Sequence, residues 1–393
     1  MDVMSLVQQN KEYLCDLRHH FHQYPEVAWH EVETAKRIRE ELTKMGVPYV
    51  EVAGTATVAT IEGKKKKPVI GLRCDIDALP VQEVKNPPYK SKNDGVMHAC
   101  GHDSHITMLL GAAKLLSEHK DELDCTVKLI FQPSEEVFEG AKAILDTGVL
   151  DDVDNFFGMH IFPYLPVGTI SVDAGPRYTS ADTMKIKIIG KSGHGAMPQF
   201  AVDPIYVGSQ VVGALQSIAS RELDPMDTTV VSVCEFHCGT RCNVIERVAE
   251  LTGTVRTFSP EDRKKLPEII ERIIANTCAA YRATYEFEYI PGPPAVINDP
   301  VCSQWAEEGV RKILGDEGVI HYRGIAGGED FALMLDRAPG VYAFVGCRNE
   351  ANDQCYSLHH ELFDLDENGM FNGCALYVQY VLEAQKHLQE KGE

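Results

Sequence analysis

No stretch of the sequence approaches the roughly 18 consecutive apolar residues that a membrane-spanning helix requires, so no span is expected. The opening segment, MDVMSLVQQNKEYLCDLRHHF, lacks the apolar core of a signal peptide and carries charges throughout. Positive charge is scarce: 38 Lys and Arg stand against 58 Asp and Glu, a net charge of −20. Such a balance repels polyanions, which excludes nucleic acid and anionic membrane as general partners. The run Lys64 to Lys67 is a local exception, and between Gly63 and Pro68 it reads as a solvated turn. Twelve cysteines are present without any compact spacing framework, so they read as reduced thiols and the expected location is cytoplasmic. Internal repeats and low-complexity tracts are also missing.

What remains is ordinary globular composition, 44% hydrophobic and 24% charged over 393 residues. That length exceeds what one core usually organises, so two domains are expected. Residues 5–22 have helical periodicity, and TAKRIREELTKMG continues as a second amphipathic helix stopped by Gly46. The runs ATVATI, PVIGLRCDI, TVKLIFQP and FFGMHIF then read as strands. ITMLLGAAKLLSEH, beginning near Ile106, and GAKAILDTG read as helices between them. This alternation predicts an α/β domain with a mostly parallel sheet.

Near residue 180 the pattern changes. TMKIKIIG, TTVVSVCEF, VAELTGTVRTF and ATYEFEYI read as strands, with helices over residues 203–222 and from Ser259 onward. Ser259 is a good cap, Pro260 fits a first helical turn, and Glu261 and Asp262 suit the positive end of the helix dipole. The order β-α-β-β-α-β is a complete ferredoxin-like α+β unit, and PGPP at 291–294 leads back to α/β sequence. The expected division is residues 1–180 and 292–393 for a catalytic domain, with 181–291 inserted into it.

Four segments carry metal-binding side chains. In His98-Ala99-Cys100-Gly101-His102-Asp103-Ser104-His105, a thiol and an imidazole two residues apart at a strand-to-helix corner can face one ion. His98 and His105 are further donors, but four ligands from eight residues would strain the backbone, so Cys100 and His102 are preferred. A buried thiol with capping histidines is the plainer alternative. Gln132-Pro133-Ser134-Glu135-Glu136 ends a strand, where adjacent glutamates project differently: one can bind metal while the other stays available as a general base. His160 in GMH is either a ligand or a hydrogen-bonded core residue. In Ser357-Leu358-His359-His360, either histidine can reach the same sheet edge. Together these are too many donors for one catalytic zinc, and two ions about 3.5–4 Å apart that share a ligand fit the count better. In the inserted segment, His194 stands at the centre of GKSGHGAMP, where glycines permit close backbone approach. Asn243 and Arg256 lie on or near strands of the same segment and can equally be ordinary edge residues.

With these motifs assembled, the sequence resembles the aminoacylase, hippurate hydrolase and auxin-conjugate hydrolase family of dinuclear metallo-amidohydrolases, relatives of the glutamate carboxypeptidases. The resemblance runs from RHHFHQYPEVAWHE to the last helix through GLRCDIDALPVQE, VMHACGHD, FQPSEE, GMH, GKSGHGAMP, GTVRTF, GGEDF and SLHHELF, in that order. It implies Cys100, His102, Glu136, His160 and His359 as ligands of two divalent ions per subunit, zinc foremost, with manganese or cobalt as alternatives. His359 is preferred to His360 because the closing motif places an aromatic, here Phe363, shortly after its ligand. The resemblance further implies Glu135 as general base for a metal-bridging water and Asp75 as a carboxylate orienting a ligand or the base. Arg73 takes the place of a metal-binding histidine of the glutamate carboxypeptidases, so His102 stands in for it. His194 is implied as the oxyanion-stabilising group of a lid or dimerisation domain, often supplied by a neighbouring subunit, and Asn243 and Arg256 as substrate-binding groups.

Some positions depart from the family pattern: Gln199 closes the glycine-rich loop in place of His, Pro176 to Ser180 replace a smaller segment, and Glu246 replaces a Pro. They bear on specificity and subunit packing and leave the metal positions intact. The expected function is hydrolysis of the amide bond of small N-acyl amino acids by a homodimer or higher homo-oligomer. The alternatives are a carboxypeptidase, a dipeptidase or a biosynthetic N-acetyl-amino-acid deacetylase with the same dinuclear site. More distant ones are a thiol amidase using Cys100 with His102, and a silent metal-binding protein.

Overall fold

The computed structural model describes residues 1–390. The chain forms two compact units, one of residues 1–177, 297–323 and 330–393, the other of 178–296 and 324–329. All twelve cysteines are free thiols, and among the described residues no helix is long and apolar enough to cross a membrane.

The first unit is built on a seven-stranded sheet in the order Tyr49–Val52, Ala56–Glu62, Thr126–Gln132, Val69–Asp75, Asn155–Pro166, Gly340–Arg348, Ile170–Ser171. The four central strands are parallel, and the outer three pair antiparallel. Val69–Asp75 is buried along its whole length, as a parallel strand covered on both faces must be. The expected α/β architecture with a mostly parallel sheet is therefore present. Register decides where chemistry can sit. Asp75 is level with Gln132, and Arg73 with Gly158, so the carboxyl ends of three neighbouring strands bring RCDID, QPSEE and GMH to one edge.

Helix His102–Glu118 is apolar on nearly every side, and Ile106, Met108, Leu109, Leu110, Ala112, Ala113, Leu115 and Leu116 are all buried. A helix of that kind belongs inside the protein rather than on its surface. It packs against strands Val69–Asp75 and Asn155–Pro166 and against helices Lys11–Gln23 and Glu367–Glu390. The helices meet at Gly111, where an added Cβ would lie 2.6 Å from both Leu14 Cδ2 and Cys374 Sγ.

The second unit is a four-stranded antiparallel sheet ordered Thr229–His237, Val248–Thr257, Asp182–Ile189, Thr284–Ile290. Helices Pro204–Leu215 and Pro260–Ala280 pack on it and on each other. Ile186, Ile188, Val211, Leu251, Ile270 and Ile274 lie in its core. The alternating burial of Asp182–Ile189 and Val248–Thr257 is that of strands with one covered face. Ser259 caps the second helix by accepting from the Asp262 backbone N–H at 3.1 Å, as its position suggests. The strand order is that of the ferredoxin-like fold.

Local boundaries differ from the sequence reading in three places. Residues 5–22 are two helices, Val3–Gln9 and Lys11–Gln23, because Asn10 leaves helical geometry and its side chain donates to the Leu6 carbonyl. The helix expected near Ile106 begins at His102, since Gly101 in left-handed geometry (φ +81°) starts it four residues earlier. The stretch 203–222 is helical only over Pro204–Leu215 before a wider π-type turn, Ile218–Glu222.

The close approach at Gly111 generates a stability test. Gly111→Ala should destabilise the protein by about 1–3 kcal/mol through overpacking. In Leu14→Ala, where the opposing side chain is shortened, the same change should cost less, so denaturant melts of the four proteins should be non-additive.

Candidate metal centre

The corner at residues 97–102 forms because Gly101 alone satisfies two demands. Its φ of +81° is one that L side chains rarely adopt, and a Cβ there would lie 2.4 Å from Ile161 Cγ2. The backbone thereby presses against the strand that carries His160 and aims Cys100 and His102 toward the sheet edge. Cys100 Sγ lies 3.3 Å from His160 Nε2. One ligand atom from each of Cys100, His102 and His160 falls within 4.8 Å of the others, and the same holds for Cys100, Glu136 and His359, and for His102, Glu135 and Glu136. Cys100 thus belongs to two such groups, and His102 to three, the third being with Asp75 and His105.

The imidazoles are held with one nitrogen committed and one presented. His102 Nδ1 donates to the Asp77 carbonyl at 2.8 Å, while its Nε2 is buried without a hydrogen-bond partner. His160 Nδ1 donates to the Ile161 carbonyl at 2.5 Å, which turns Nε2 toward Cys100. His359 Nε2 lies 3.5 Å from Glu136 Oε1, and its backbone N–H is tied to the Ala99 carbonyl at 2.8 Å. His359 has a left-handed φ of +63°, backbone strain of the kind that persists at functional sites. His360 instead accepts from the Leu362 N–H and packs on Tyr356. His105 is spoken for on both nitrogens: Nδ1 donates to Asp75 Oδ1 at 2.5 Å, and Nε2 accepts the Ile161 N–H at 2.8 Å. It is therefore a hydrogen-bonded strut between Asp75 and the His160 strand. Buried His98 has no hydrogen bond at either nitrogen, and burial pulls it down to about 3.

The electrostatics favour a bound cation. Burial lowers the basicity of His102, yet Asp75, Asp77 and Glu136 overcome it and push the imidazole up to about 10. Burial, then Glu136, Glu135 and Asp75, push the Cys100 thiol well above its ordinary value. A thiol so placed becomes a thiolate only when positive charge arrives beside it. Burial and neighbouring His105 hold His160 well below its ordinary range, so it is neutral and ready to donate a lone pair. Buried donors without partners, including Glu136 Oε1 and His102 Nε2, are what a site for divalent ions requires. The residues present fit such a group.

Supporting contacts lie behind these side chains. Arg73 is fully buried, and its guanidinium donates to Asp75 at 2.8 Å, Asp330 at 3.0 Å and Gln132 at 2.9 Å. It neutralises carboxylates and has no lone pair for a metal. Asp77 Oδ2 accepts the Glu136 N–H at 3.0 Å. Glu31 accepts the Ser134 N–H at 3.0 Å, where Ser134 itself has φ +55°. Asp77 and Glu31 are not among the residues the sequence singles out, and His105, named there as a further donor, is a hydrogen-bonded strut instead. Asp77 was legible in principle, because it alternates with Asp75 in RCDID.

In the second unit, His194 and Asn243 are neighbours on a short ribbon: Val244 pairs with His194, and the Gly195 N–H donates to the Asn243 carbonyl at 2.9 Å. His194 is exposed, and its Nδ1 accepts the Ala196 N–H at 3.0 Å, which leaves the proton on Nε2. Arg256 is not brought to them. It stands near the Thr257 end of strand Val248–Thr257, opposite Val230, and its Nε donates to Thr254.

Residues 71–383 match peptidase family M20/M25/M40. An N-acetylcysteine deacetylase of Bacillus subtilis (strain 168) is 42% identical over 359 residues, spanning 91% of this chain and 93% of its own. An IAA-amino acid hydrolase of Arabidopsis thaliana is 39% identical over 390 residues, 97% of this chain and 89% of its own. Among solved structures, a dinuclear metal-binding peptidase of the M20 family from Bacillus subtilis is 37% identical. It covers 96% of this chain and 99% of its own, with a TM-score of 0.86.

The corner supplies a test. Gly101→Ala should misplace Cys100 and His102 together, lowering metal content measured by elemental analysis well below that of the wild type. The accompanying destabilisation should be about 1–3 kcal/mol. Full metal content in a folded Gly101→Ala protein would contradict this account of the corner.

Proposed function

The chain belongs to peptidase family M20/M25/M40, whose members are metal-dependent amide hydrolases, and from that premise we propose that it cleaves the amide bond of small N-acyl amino acids. The observation that carries the reading is the sharing of Cys100 between two ligand groups beside an adjacent glutamate pair. Cys100, His102 and His160 would hold one divalent ion, and Cys100, Glu136 and His359 a second, with the thiolate common to both. Zinc is the first choice because it accepts thiolate and imidazole together, with manganese or cobalt as alternatives. When bound, such a pair lowers the pKa of water and polarises a carbonyl.

The chain's own residues do the rest. Buried Glu135 takes a proton from the attacking water and returns it to the departing amine. Asp75 orients the site through His105 and Arg73. His194, protonated on Nε2, is a neutral donor suited to a developing oxyanion, and adjacent Asn243 is suited to hold the substrate. For Arg256, a role at the substrate carboxylate rests on the family resemblance alone. Assembly as a homodimer or larger homo-oligomer belongs to the same reading: strand Thr229–His237 lies at a sheet edge, which is where another copy can pair. The twelve free thiols accord with a cytoplasmic location.

The substrate class is supported by the names of two relatives, since N-acetylcysteine and IAA-amino acid conjugates both join an acyl group to an amino acid. A carboxypeptidase or dipeptidase is the second reading, favoured by the solved relative described as a peptidase; a biosynthetic deacetylase shares the same chemistry. A thiol amidase is disfavoured, because burial and neighbouring carboxylates hold Cys100 protonated without a cation.

Hydrolysis of a panel of N-acetyl, N-benzoyl and dipeptide substrates should be abolished by a chelator and restored by zinc, manganese or cobalt. Cleavage of the dipeptides alone would replace the first reading with the second, and activity that survives complete metal removal would defeat both. Glu135→Gln should lower kcat by about 10²–10⁴-fold while elemental analysis finds metal content unchanged.

A further inference from the structure

The motif RHHFH on helix Lys11–Gln23 plays no part in the chemistry above, yet it buries an arginine beside the metal corner. The Arg18 side chain is 1% exposed. Its Nε donates to Asp103 Oδ2 at 3.2 Å, one terminal nitrogen to Asp364 Oδ1 at 2.9 Å and the other to Glu367 Oε1 at 3.1 Å. Asp103 directly follows His102, and Asp364 lies shortly after His359. One guanidinium therefore joins both segments that carry ligands.

That bridge is the third in a series. The His359 N–H bonds the Ala99 carbonyl. The Phe363 ring packs at Gly101, 3.4 Å from where a Cβ would stand. Arg18 then links Asp103 to Asp364. Positions 99, 101 and 103 are thus registered in turn against 359, 363 and 364. The two sides differ in what else holds them. Asp103 keeps a second tie, from His22 Nδ1 at 2.9 Å, and His102 sits in a buried helix. The His359 side chain is 54% exposed on strained backbone, so its placement depends more on the segment that follows.

Resting on the two-ion reading above, we propose that Arg18 is a positioning residue that registers the His359 segment against the Cys100–Asp103 corner and so sets the affinity of the ion held by Cys100, Glu136 and His359. The ion held by Cys100, His102 and His160 depends on it little. A guanidinium suits this task because its donors are fixed in a planar fork, whereas an ammonium is a compact charge on a flexible stem.

The test is calorimetric titration of metal-free protein with zinc and with manganese, using wild type, R18M, R18K and L116A. Leu116 is buried toward the far end of the helix that begins at His102, so L116A reports what lost stability alone does. In R18M, one of two ions should bind at least tenfold more weakly and the other within about threefold of wild type, with kcat recovering at excess metal. R18K should fall between R18M and wild type, and it carries the test if R18M does not fold. L116A should lower Tm while leaving both affinities within about threefold. Unchanged affinities in R18M or in the R18K substitute, or an equal loss in L116A, would overturn the inference while the two-ion reading stands. A wild type that takes up one ion would overturn the reading beneath it.

Discussion

Carboxylates packed out of reach of water set the terms for the rest of the first unit. Asp75, Asp77, Asp103 and Glu135 are all buried near one sheet edge, and an uncompensated buried charge is among the most destabilising things a fold can contain. Each therefore dictates a neighbour. Arg73 lies between Asp75 and Asp330, and Arg18 between Asp103 and the 364–367 segment. His22 and His105 serve as hydrogen-bond donors to Asp103 and Asp75. What these fixed partners leave unbalanced, chiefly around Glu136 and Cys100, is the charge that divalent ions would answer. The carboxylates that hold the fold and those of the proposed centre are thus one network, with arginines and histidines paired at its periphery.

The sheet makes that concentration of charge possible. Its four central strands are parallel, so their carboxyl ends align, and loops leaving those ends can converge where no strand hydrogen bonds are left to make. A long buried helix starting at His102 fixes one side of the convergence. The opposite side is closed by backbone strain, at Ser134 before the glutamate pair and at His359. Such conformations survive only where surrounding contacts over-determine them; Glu31 does this for Ser134, and Ala99 for His359.

The sequence made the architecture legible because its signals there are local. Alternating strands and helices, the Ser259-Pro260 cap and the ferredoxin-like order can each be read within a few residues. Side chains whose role depends on distant partners were not legible in that way. Cys100, His102 and Glu136 stood out as clustered donors, whereas Asp77 matters because its carboxylate and carbonyl meet Glu136 and His102, and Glu31 because it meets Ser134. Periodicity marks Arg18 only as a helical residue, and the carboxylates that explain its burial come from two other parts of the chain. The helix start at His102 was hidden for a different reason: a glycine in left-handed geometry can end a segment or begin one, and the spacing of apolar residues further on does not tell which.

The distribution of the proposed ligands along the chain has a consequence for how the protein is made. Cys100, Glu136 and His160 emerge early, but His359 and the long final helix that packs on His102–Glu118 come last. Between them lies all of the second unit, mostly contiguous in sequence and equipped with its own core. During synthesis the second unit can complete itself first, while the first waits for its closing strand, Gly340–Arg348, and that final helix. Until they arrive, Arg18 and Arg73 lack their late partners Asp364, Glu367 and Asp330, and the network is only half assembled. The centre is therefore among the last things the growing chain can finish, and a polypeptide cut short before its last fifth would have most of the donors and nowhere to gather them.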